Sequence, residues 1–479
     1  MTTFCVSLVL LILGFLLYSR VVERVFGVEP DRPTPAITMN DGVDYVPMST
    51  WKVFLIQFLN IAGTGPIFGA IMGILFGPAA YLWIVFGCIF AGAVHDYLTG
   101  MISIREGGVN ITEIVGREMG RRVRALMLFV TLVIVILVGA VFTRTPADLL
   151  AHLTGGWQWS SPLVWMIIIF LYYILATLLP INALIGRIYP LFGAALLVMA
   201  LGVGIGIFTR EGVMPEITDP LGGNHPAGIP VYPAICVTIA CGAISGFHSS
   251  QTPMMARCIK SERLGRTVFY GAMIVEGFVA LIWAAASIKF ASALSGVAEG
   301  ERTAYQALAD MGTPAVVVNT ICATWMGKVG AVLAVLGVVA APITTGDTAF
   351  RSARLIAADF LKIPQRNVWQ RLLTSAPFFL IAGLLMVIDF KTLWSYFGWT
   401  NQVLAAIGLW AFTVWLSRRG RFFWITFVPA LFLTAVTSSH FLLTSLDLGL
   451  KYRTIVICGA VFSLLLGALF LAIRPKEKP

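Results

Sequence analysis

Stretches of about 20 mainly apolar residues recur along the whole chain, and short polar segments separate them. A helix of that length crosses the hydrocarbon core of a bilayer. The pattern therefore predicts an all-α, polytopic membrane protein with about thirteen transmembrane helices. Their approximate positions are residues 3–19, 51–75, 79–103, 123–146, 161–181, 187–208, 233–256, 267–290, 327–350, 369–389, 392–416, 421–444 and 453–473.

Two of these segments are interrupted by glycine and proline at corresponding places. The first contains Gly63-Thr-Gly-Pro66, and the second runs from Gly242 to Pro253 through several small and polar residues. Backbone groups in hydrocarbon must bond within their own helix, so a broken helix persists only inside the protein or beside a water-filled cavity. A matched pair of breaks predicts a substrate site between two discontinuous helices, as in secondary transporters.

The order of the segments predicts an inverted repeat. Each broken segment is followed by four further spans, and a repeat of five spans necessarily reverses its direction in the membrane. Residues 51–208 and 233–416 are therefore expected to form two five-helix repeats with discontinuous first helices. An N-terminal anchor helix with a cytoplasmic linker, 1–50, precedes them, and two additional transmembrane helices with a short tail, 417–479, follow.

Composition narrows the class of protein. Hydrophobic residues make up 58% of the chain and charged residues 12%, against about 25% in soluble domains, so no sizeable soluble domain is expected. The net charge of +10 is not a sign of nucleic-acid binding, because most basic residues lie in alternate loops. The positive-inside rule then places the N-terminus outside and the C-terminus in the cytoplasm. The seven cysteines lack the spacing of a metal site or disulfide framework.

Three acidic residues, Asp96, Glu276 and Asp347, fall inside apolar spans. An ionised side chain is costly there, and protonation removes the cost, so each is a candidate carrier of a coupling proton. Asp96 and Glu276 are 180 residues apart and are predicted to occupy equivalent positions in the two repeats. The alternative for both is a neutral acid that braces neighbouring helices. For Asp347 the alternative is an ion pair with Arg351, which lies four residues further on.

Polar side chains form stripes along both broken helices and are expected to face the cavity. Freed amides at a half-helix N-terminus favour an anion, and freed carbonyls at a half-helix C-terminus favour a cation or a proton carrier. The electrostatic field at the breaks therefore suits a small carboxylate. The candidate substrate-binding residues are Asn60, Gly63, Thr64, Gly65, Gly242, Ser245, Gly246, His248, Gln251 and Thr252.

Histidines and threonines supply further candidates. His248 would titrate near neutral pH if it faced water, although a structural bond to a backbone carbonyl is an equal alternative. His95 precedes Asp96 directly, and successive helical residues point about 100° apart, so the two are not expected to act as one dyad. Thr344 and Thr345 could complete an oxygen-lined Na⁺ site, or could simply bond back to a carbonyl of the preceding turn.

Several of these motifs together resemble one family, the carbon starvation protein A (CstA) family of bacterial inner-membrane transporters. The resemblance covers about residues 20–390. It implies a LeuT-like fold of the amino acid, polyamine and organocation superfamily, expression in carbon starvation, and uptake of peptides or, in some members, of pyruvate with protons. The motifs are Asn40-Asp-Gly-Val-Asp-Tyr-Val-Pro47, Ile61-Ala-Gly-Thr-Gly-Pro-Ile67, Ala91-Gly-Ala-Val-His-Asp96, Thr238-Ile-Ala-Cys-Gly-Ala-Ile-Ser-Gly-Phe-His248 and Tyr270-Gly-Ala-Met-Ile-Val-Glu276.

The sequence thus predicts a proton- or sodium-coupled secondary transporter for a small carboxylate or short peptide, embedded in lipid. No enzymatic motif is present: there is neither a phosphate-binding loop nor HExxH, and no cofactor beyond the coupling ion is expected. A nutrient sensor that retains a transporter fold is the alternative, disfavoured by the absence of a sizeable output domain. An ion channel is disfavoured because matched breaks imply a closed midplane site. The oligomeric state is left open.

Overall fold

The computed structural model describes residues 1–42, 45–178, 181–294, 297, 300–363, 367–444 and 450–474, and within these ranges all regular structure is helical. This confirms the all-α fold class. The main helices are α1 (Thr2–Phe26), α2 (Thr50–Ala62), α3 (Gly65–Phe76), α4 (Ala79–Arg105), α5 (Ile111–Met119), α6 (Arg121–Leu153), α7 (Pro162–Leu178), α8 (Ile181–Thr209), α9 (Val231–Thr238), α10 (His248–Ala256), α11 (Glu262–Ser292), α12 (Ala304–Asp310), α13 (Pro314–Ala334), α14 (Ala341–Leu361), α15 (Val368–Leu385), α16 (Phe390–Arg418), α17 (Trp424–Thr444) and α18 (Tyr452–Ile473).

Every predicted span coincides with one of these helices or with a helix pair. Nine helical segments in the described ranges are long and apolar enough to cross a membrane, and the bent pair α2 and α3 makes a tenth. The other three predicted spans fall on α7, on the pair α9 and α10, and on α16. Those segments are short, broken, or interrupted by buried polar residues such as Asn401 and Gln402.

The first broken helix changes direction at Gly63. Its φ of 36° and ψ of −140° end α2, and α3 restarts at Gly65 with Pro66 in its first turn. Proline is well accommodated there because the first amides of a helix have no partner within it. The two halves are bent by 45°.

The second broken helix has a longer interruption. Residues 239–247, called here the unwound segment, separate α9 from α10 and consist of turns rather than helix. Both interruptions predicted from glycine and proline are therefore present in the structure.

The two broken helices run in opposite directions. Before its break, α2 packs against α10, where Gln57 Nε2 donates to Thr252 Oγ1 at 3.1 Å. After its break, α3 packs against α9 so closely that a Cβ on Gly69 would lie 2.8 Å from the Thr238 carbonyl oxygen. Each half preceding a break thus meets a half following one. An inverted repeat requires this arrangement, while the five-plus-five division itself stays a prediction.

Candidate functional site

A buried imidazole and a buried carboxylate meet where α10 begins. His248 is the first residue of α10, and its Nδ1 lies 2.8 Å from Oδ2 of Asp96 on α4. Both side chains are completely inaccessible to solvent. The break places His248 here, because the unwound segment ends directly before it.

Glu276 lies on the opposite side of the same ring. Its Oε2 is 3.5 Å from His248 Nε2, and its side chain is also fully buried. Neither Glu276 oxygen has a hydrogen-bond partner in the described part of the chain. The two acids predicted from their apolar surroundings are therefore brought to one histidine, which lies between them.

His95 also belongs to this cluster, which corrects the sequence-based expectation. Its Nδ1 lies 2.9 Å from Asp96 Oδ1, so His95 and Asp96 do form a buried pair. The angle of about 100° between successive helical residues describes only the directions of their Cα–Cβ bonds. Rotation about χ1 and χ2 brings the ends of two neighbouring side chains together. We refer to His95, Asp96, His248 and Glu276 as the proton cluster.

Charge balance shows what the proton cluster can do chemically. Buried charges are tolerated only when they are paired. With Asp96 ionised and His248 protonated, that pair is neutral, and an ionised Glu276 would leave one negative charge in excess. One further proton restores neutrality. Gain or loss of one proton at Glu276 would therefore switch the cluster between a neutral and a charged state.

The unwound segment is held by Asn401 of α16, which sequence analysis did not identify. Asn401 Oδ1 accepts from the Phe247 amide at 2.8 Å and from Ser245 Oγ at 3.1 Å, and its carbonyl oxygen accepts from the Gly246 amide at 3.2 Å. Two predicted binding residues, Ser245 and Gly246, are thus engaged with α16. The sequence feature that could have indicated this role is the polar pair Asn401-Gln402 in the middle of an apolar span.

Carbonyl groups freed by the same interruption have side-chain partners. Gln402 Nε2 donates to the carbonyls of Cys236 and Ile244, at 2.9 and 3.2 Å. The indole of Trp83 on α4 donates to the Ile239 carbonyl at 3.1 Å. Buried backbone groups require such partners.

The first break differs because polar oxygens remain without partners beside it. The buried side-chain atoms without a hydrogen bond among the described residues include three on the first broken helix, Gln57 Oε1, Asn60 Oδ1 and Thr64 Oγ1, and Gln251 Oε1 on α10. Gln57 is oriented by its bond to Thr252, and Gln251 Nε2 donates to Ser250 Oγ at 2.9 Å. Unpaired acceptors in a buried setting favour a ligand that donates hydrogen bonds or carries positive charge.

The glycines of the candidate set bring the two breaks together. A Cβ on Gly65 would lie 2.4 Å from Cys241 Sγ of the unwound segment. One on Gly242 would lie 3.7 Å from the Pro66 Cα at the first break and 2.5 Å from the Ala280 Cβ of α11. Only glycine permits these approaches. Their predicted contact with substrate through the backbone stays a prediction.

Asp347 has a different environment from the other two acids. Its Oδ1 lies 3.8 Å from Arg351 Nη2 on the same helix, the pairing that was the alternative for this residue. The pair is buried, and Arg351 also donates to the Ala176 carbonyl at 2.9 Å. A role of Asp347 in proton coupling remains a prediction.

Thr344 and Thr345 both donate to the Ala341 carbonyl, at 2.7 and 3.0 Å, as the alternative reading of these residues expects. A hydroxyl that donates keeps its lone pairs, so this does not exclude cation binding. Thr345 Oγ1 also lies beside the first break, 3.3 Å from where a Cβ on Gly63 would be. Within the described residues, no group of three or more His, Cys, Asp and Glu side chains could hold a metal ion.

An all-helical membrane protein with two antiparallel broken helices and a buried proton cluster has the architecture of a membrane transporter. The family model described as "Carbon starvation protein CstA" matches residues 1–161, 154–296 and 289–440. The chain therefore belongs to the carbon starvation protein CstA family, as its motifs suggested.

The relatives of this chain include an uncharacterized membrane protein and two named transporters. An uncharacterized membrane protein of Haemophilus influenzae is 44% identical over 60% of this chain and 90% of its own length. Peptide transporter CstA of Escherichia coli is 25% identical over 87% of this chain and 77% of its own length. The pyruvate/proton symporter BtsT of Escherichia coli is 28% identical over 55% of this chain and 45% of its own.

The fold is similar to that of a mutant manganese transporter from Eremococcus coleocola, with a TM-score of 0.52 at 12% identity, covering 88% of this chain and 92% of that one. At this identity the likeness concerns the fold alone. Family and relatives place the chain among multi-pass membrane transporters rather than enzymes.

Proposed function

We propose that this protein is a proton-coupled secondary transporter that imports a small carboxylate or a short peptide. The observation that carries the proposal is the position of His248, buried between Asp96 and Glu276 where the second broken helix restarts. A group that changes charge at that point can bias the packing of both broken helices, since α2 contacts α10 directly.

Coupling follows from charge balance. Proton loss leaves an excess negative charge in a buried site, which favours a conformation that admits water or a proton. Proton uptake neutralises the cluster and favours closure around the substrate. Each cycle then carries protons and solute in the same direction.

The polar groups at the breaks support the proposed substrate class. Half-helix amides at the start of α3 suit a carboxylate. The unpaired oxygens of Asn60 and Thr64 suit an ammonium or amide N–H, as a peptide would provide. The names of the relatives, a peptide transporter and a pyruvate/proton symporter, point to the same classes. The proposed location is the bacterial inner membrane, with the N-terminus outside.

Uptake into proteoliposomes under an imposed pH gradient tests the proposal, with pyruvate, amino acids and dipeptides as solutes. We expect accumulation of at least one solute that is abolished by a protonophore. Glu276→Gln should reduce gradient-driven uptake by about tenfold or more while substrate exchange, which needs no net proton movement, is largely retained.

The matched control is Ser287→Ala, which removes a buried hydroxyl of α11. Within the described residues this hydroxyl bonds only to the carbonyl of Ala284, at 3.1 Å. It should leave both activities unchanged. Equal loss of uptake and exchange in Glu276→Gln would show a structural role for this acid. Failure of every solute to accumulate would contradict symport.

Sodium is the second candidate coupling ion, because Thr345 Oγ1 lies beside the first break near Gly63. A sodium gradient imposed at constant pH distinguishes the two ions. Sodium-driven uptake that Thr345→Val abolishes and Thr345→Ser retains would assign coupling to Na⁺ instead of the proton.

A further inference from the structure

One face of α16 supports both histidines of the proton cluster. Asn401 bonds to the residues immediately before His248, and Gly408 lies seven residues further on, two turns along the same helix face. A Cβ on Gly408 would lie 3.0 Å from His95 Nε2, and the Phe412 ring is 5.7 Å from the His95 ring.

The unwound segment rests on this face without a gap. A Cβ on Gly246 would lie 2.4 Å from the Ala405 amide nitrogen and 2.5 Å from the Asn401 carbonyl oxygen. Together with the bonds to Ser245, Gly246 and Phe247, this contact fixes the backbone that leads into His248.

The position of this backbone determines the geometry at His248. Its Nδ1 is at a strong hydrogen-bonding distance from Asp96, 2.8 Å, whereas Nε2 is 3.5 Å from Glu276. A shift of the segment by about 1 Å would break the first contact or strengthen the second. The two acids therefore compete for one imidazole whose place is set from α16.

We propose that Asn401 is a positioning residue for proton coupling, which holds His248 between Asp96 and Glu276 by fixing residues 245–247 to α16. Movement of α16 during transport then changes which acid the imidazole contacts. This inference rests on the proposed proton coupling and adds the element that connects the proton cluster to the moving helices.

The test is the pH dependence of uptake in Asn401→Ala and Gly408→Ala. The first removes the side-chain acceptor of Ser245 and Phe247 and leaves the backbone bond to Gly246. The second brings a methyl group against His95 and keeps the Asn401 side chain. We expect maximal uptake about tenfold to a hundredfold lower for Asn401→Ala, and a shift of about one unit in the pH of half-maximal uptake for both.

A matched control lies on the same helix. Thr413→Val removes a buried hydroxyl that bonds to Leu409 at 2.7 Å and Thr426 at 2.8 Å, away from the unwound segment. It should leave the pH of half-maximal uptake unchanged. The thiols of Cys88 and Cys241 are further titratable groups near Asp96 and Glu276. Asn401→Ala removes the contact of Asn401 Nδ2 with Cys241 Sγ at 3.6 Å, whereas Gly408→Ala and Thr413→Val leave both thiols unchanged.

A lower rate with an unchanged pH profile in Asn401→Ala would overturn the proposal, as would an equal shift in Thr413→Val. If Asn401→Ala does not fold, Asn401→Ser decides, because its shorter side chain withdraws the acceptor from the Phe247 amide, and an unchanged profile there overturns the proposal. If uptake by the wild-type protein does not depend on the pH gradient, the proposed function is contradicted. The positioning role is then decided by the pH dependence of Tm of the purified proteins, and identical dependence in wild type and Asn401→Ala overturns it.

Discussion

Asp96 is the residue on which the proton cluster depends most, because it accepts hydrogen bonds from two histidines. Its two oxygens lie 2.9 Å from His95 Nδ1 and 2.8 Å from His248 Nδ1. An asparagine there has one acceptor and one donor, so one ring N–H would face another donor. We expect Asp96→Asn to lower the free energy of unfolding by about 3–5 kcal/mol and to abolish gradient-driven uptake. Thermal unfolding in detergent and proteoliposome uptake measure both effects.

The control for this prediction is Asp148→Asn on α6. Asp148 is 27% exposed and lies 4.0 Å from Arg144, so this pair contributes little. The expected change in unfolding free energy is within about 0.5 kcal/mol. Similar destabilisation by the two substitutions would contradict the special role assigned to Asp96.

At the residue scale, hydropathy was sufficient to identify Asp96 and Glu276 as members of the proton cluster, but not His95. Asp96 and Glu276 could be identified because an acid inside an apolar span is unusual. His95 could not, since the convergence of adjacent side chains depends on rotamers that tertiary packing selects. That His248 would bridge the two acids also depends on where the unwound segment ends in space.

At the scale of elements, the approach of α3 to α9 holds the two breaks together. A Cβ on Gly69 would lie 2.8 Å from the Thr238 carbonyl, a backbone atom that cannot move aside alone. We expect Gly69→Ala to lower the free energy of unfolding by about 1–3 kcal/mol and to raise the KM for the transported solute, because the flanks of both breaks separate. Thermal unfolding and uptake kinetics measure these changes.

Gly204→Ala on α8 provides the comparison. A Cβ there would lie 3.6 Å from the Ile282 side chain, an ordinary contact distance. Alanine is the better helix former by about 1 kcal/mol, so stability should stay the same or rise. If Gly204→Ala were as damaging as Gly69→Ala, close approach would not be the cause.

The start of α1 provides a prediction of pH dependence. Glu216 accepts hydrogen bonds from the amides of Thr2 and Thr3, at 2.9 and 2.7 Å, and from the Met1 ammonium group. Burial opposes ionisation of this carboxyl, but these bonds outweigh it and lower the pKa of Glu216 to about 2. A carboxyl with a lowered pKa stabilises the fold above its ordinary pKa and loses that effect as pH falls towards the lowered value.

We therefore expect the start of α1 to be fully protected from amide exchange above about pH 5 and to lose protection between about pH 4.5 and pH 2. Hydrogen-exchange mass spectrometry of the N-terminal peptide, corrected for intrinsic rates, measures this. Glu216→Gln should show weaker protection with little pH dependence over the same range. A wild-type protection that stays constant to pH 2 would argue against the contact.

The two breaks could be located from the sequence, whereas the helix that supports one of them could not. Glycine and proline mark an interruption locally, as at Gly63 and Pro66. Asn401 lies 156 residues from Ser245 along the chain, and only the fold brings them together. A polar pair inside an apolar span indicates a buried partner but does not say which one.

At the scale of the whole molecule, the periodic recurrence of apolar segments predicted the class of fold because the bilayer imposes helix length. The three spans that are short, broken or interrupted by polar residues could still be recognised in the sequence as apolar segments. The antiparallel course of the two broken helices also follows from the span order, because four spans lie between them and a repeat of five spans reverses its direction. The contacts between distant segments, including those of the N-terminal linker, could not be predicted in this way.

One such contact joins α1, α4 and α11 on the predicted cytoplasmic side. Glu262 is fully buried and accepts from Arg105 through both Nε and Nη2, each at 3.0 Å, and from the Glu29 amide at 2.9 Å. Arg105 also donates to the Gly27 carbonyl at 2.6 Å and lies over the Phe26 ring at 4.2 Å. This bidentate pair therefore links the end of the first helix to the linker and to both neighbouring helices.

A double-mutant cycle with Arg105→Gln and Glu262→Gln should give a coupling energy of about 2–3 kcal/mol, measured from unfolding free energies at one pH. The two single losses should add up to more than the loss in the double variant, because Arg105→Gln leaves the buried Glu262 without its cation, and Glu262→Gln leaves Arg105 only its ion pair with the exposed Glu29, at 3.3 Å. The same cycle at Arg302 and Asp310 serves as control: these side chains are 35% and 66% exposed and 3.4 Å apart. Water and ions screen that pair, so its coupling should be below about 0.5 kcal/mol. Equal coupling at the two sites would mean that burial does not strengthen the Arg105–Glu262 pair, and the three helices would then be held together by apolar packing alone.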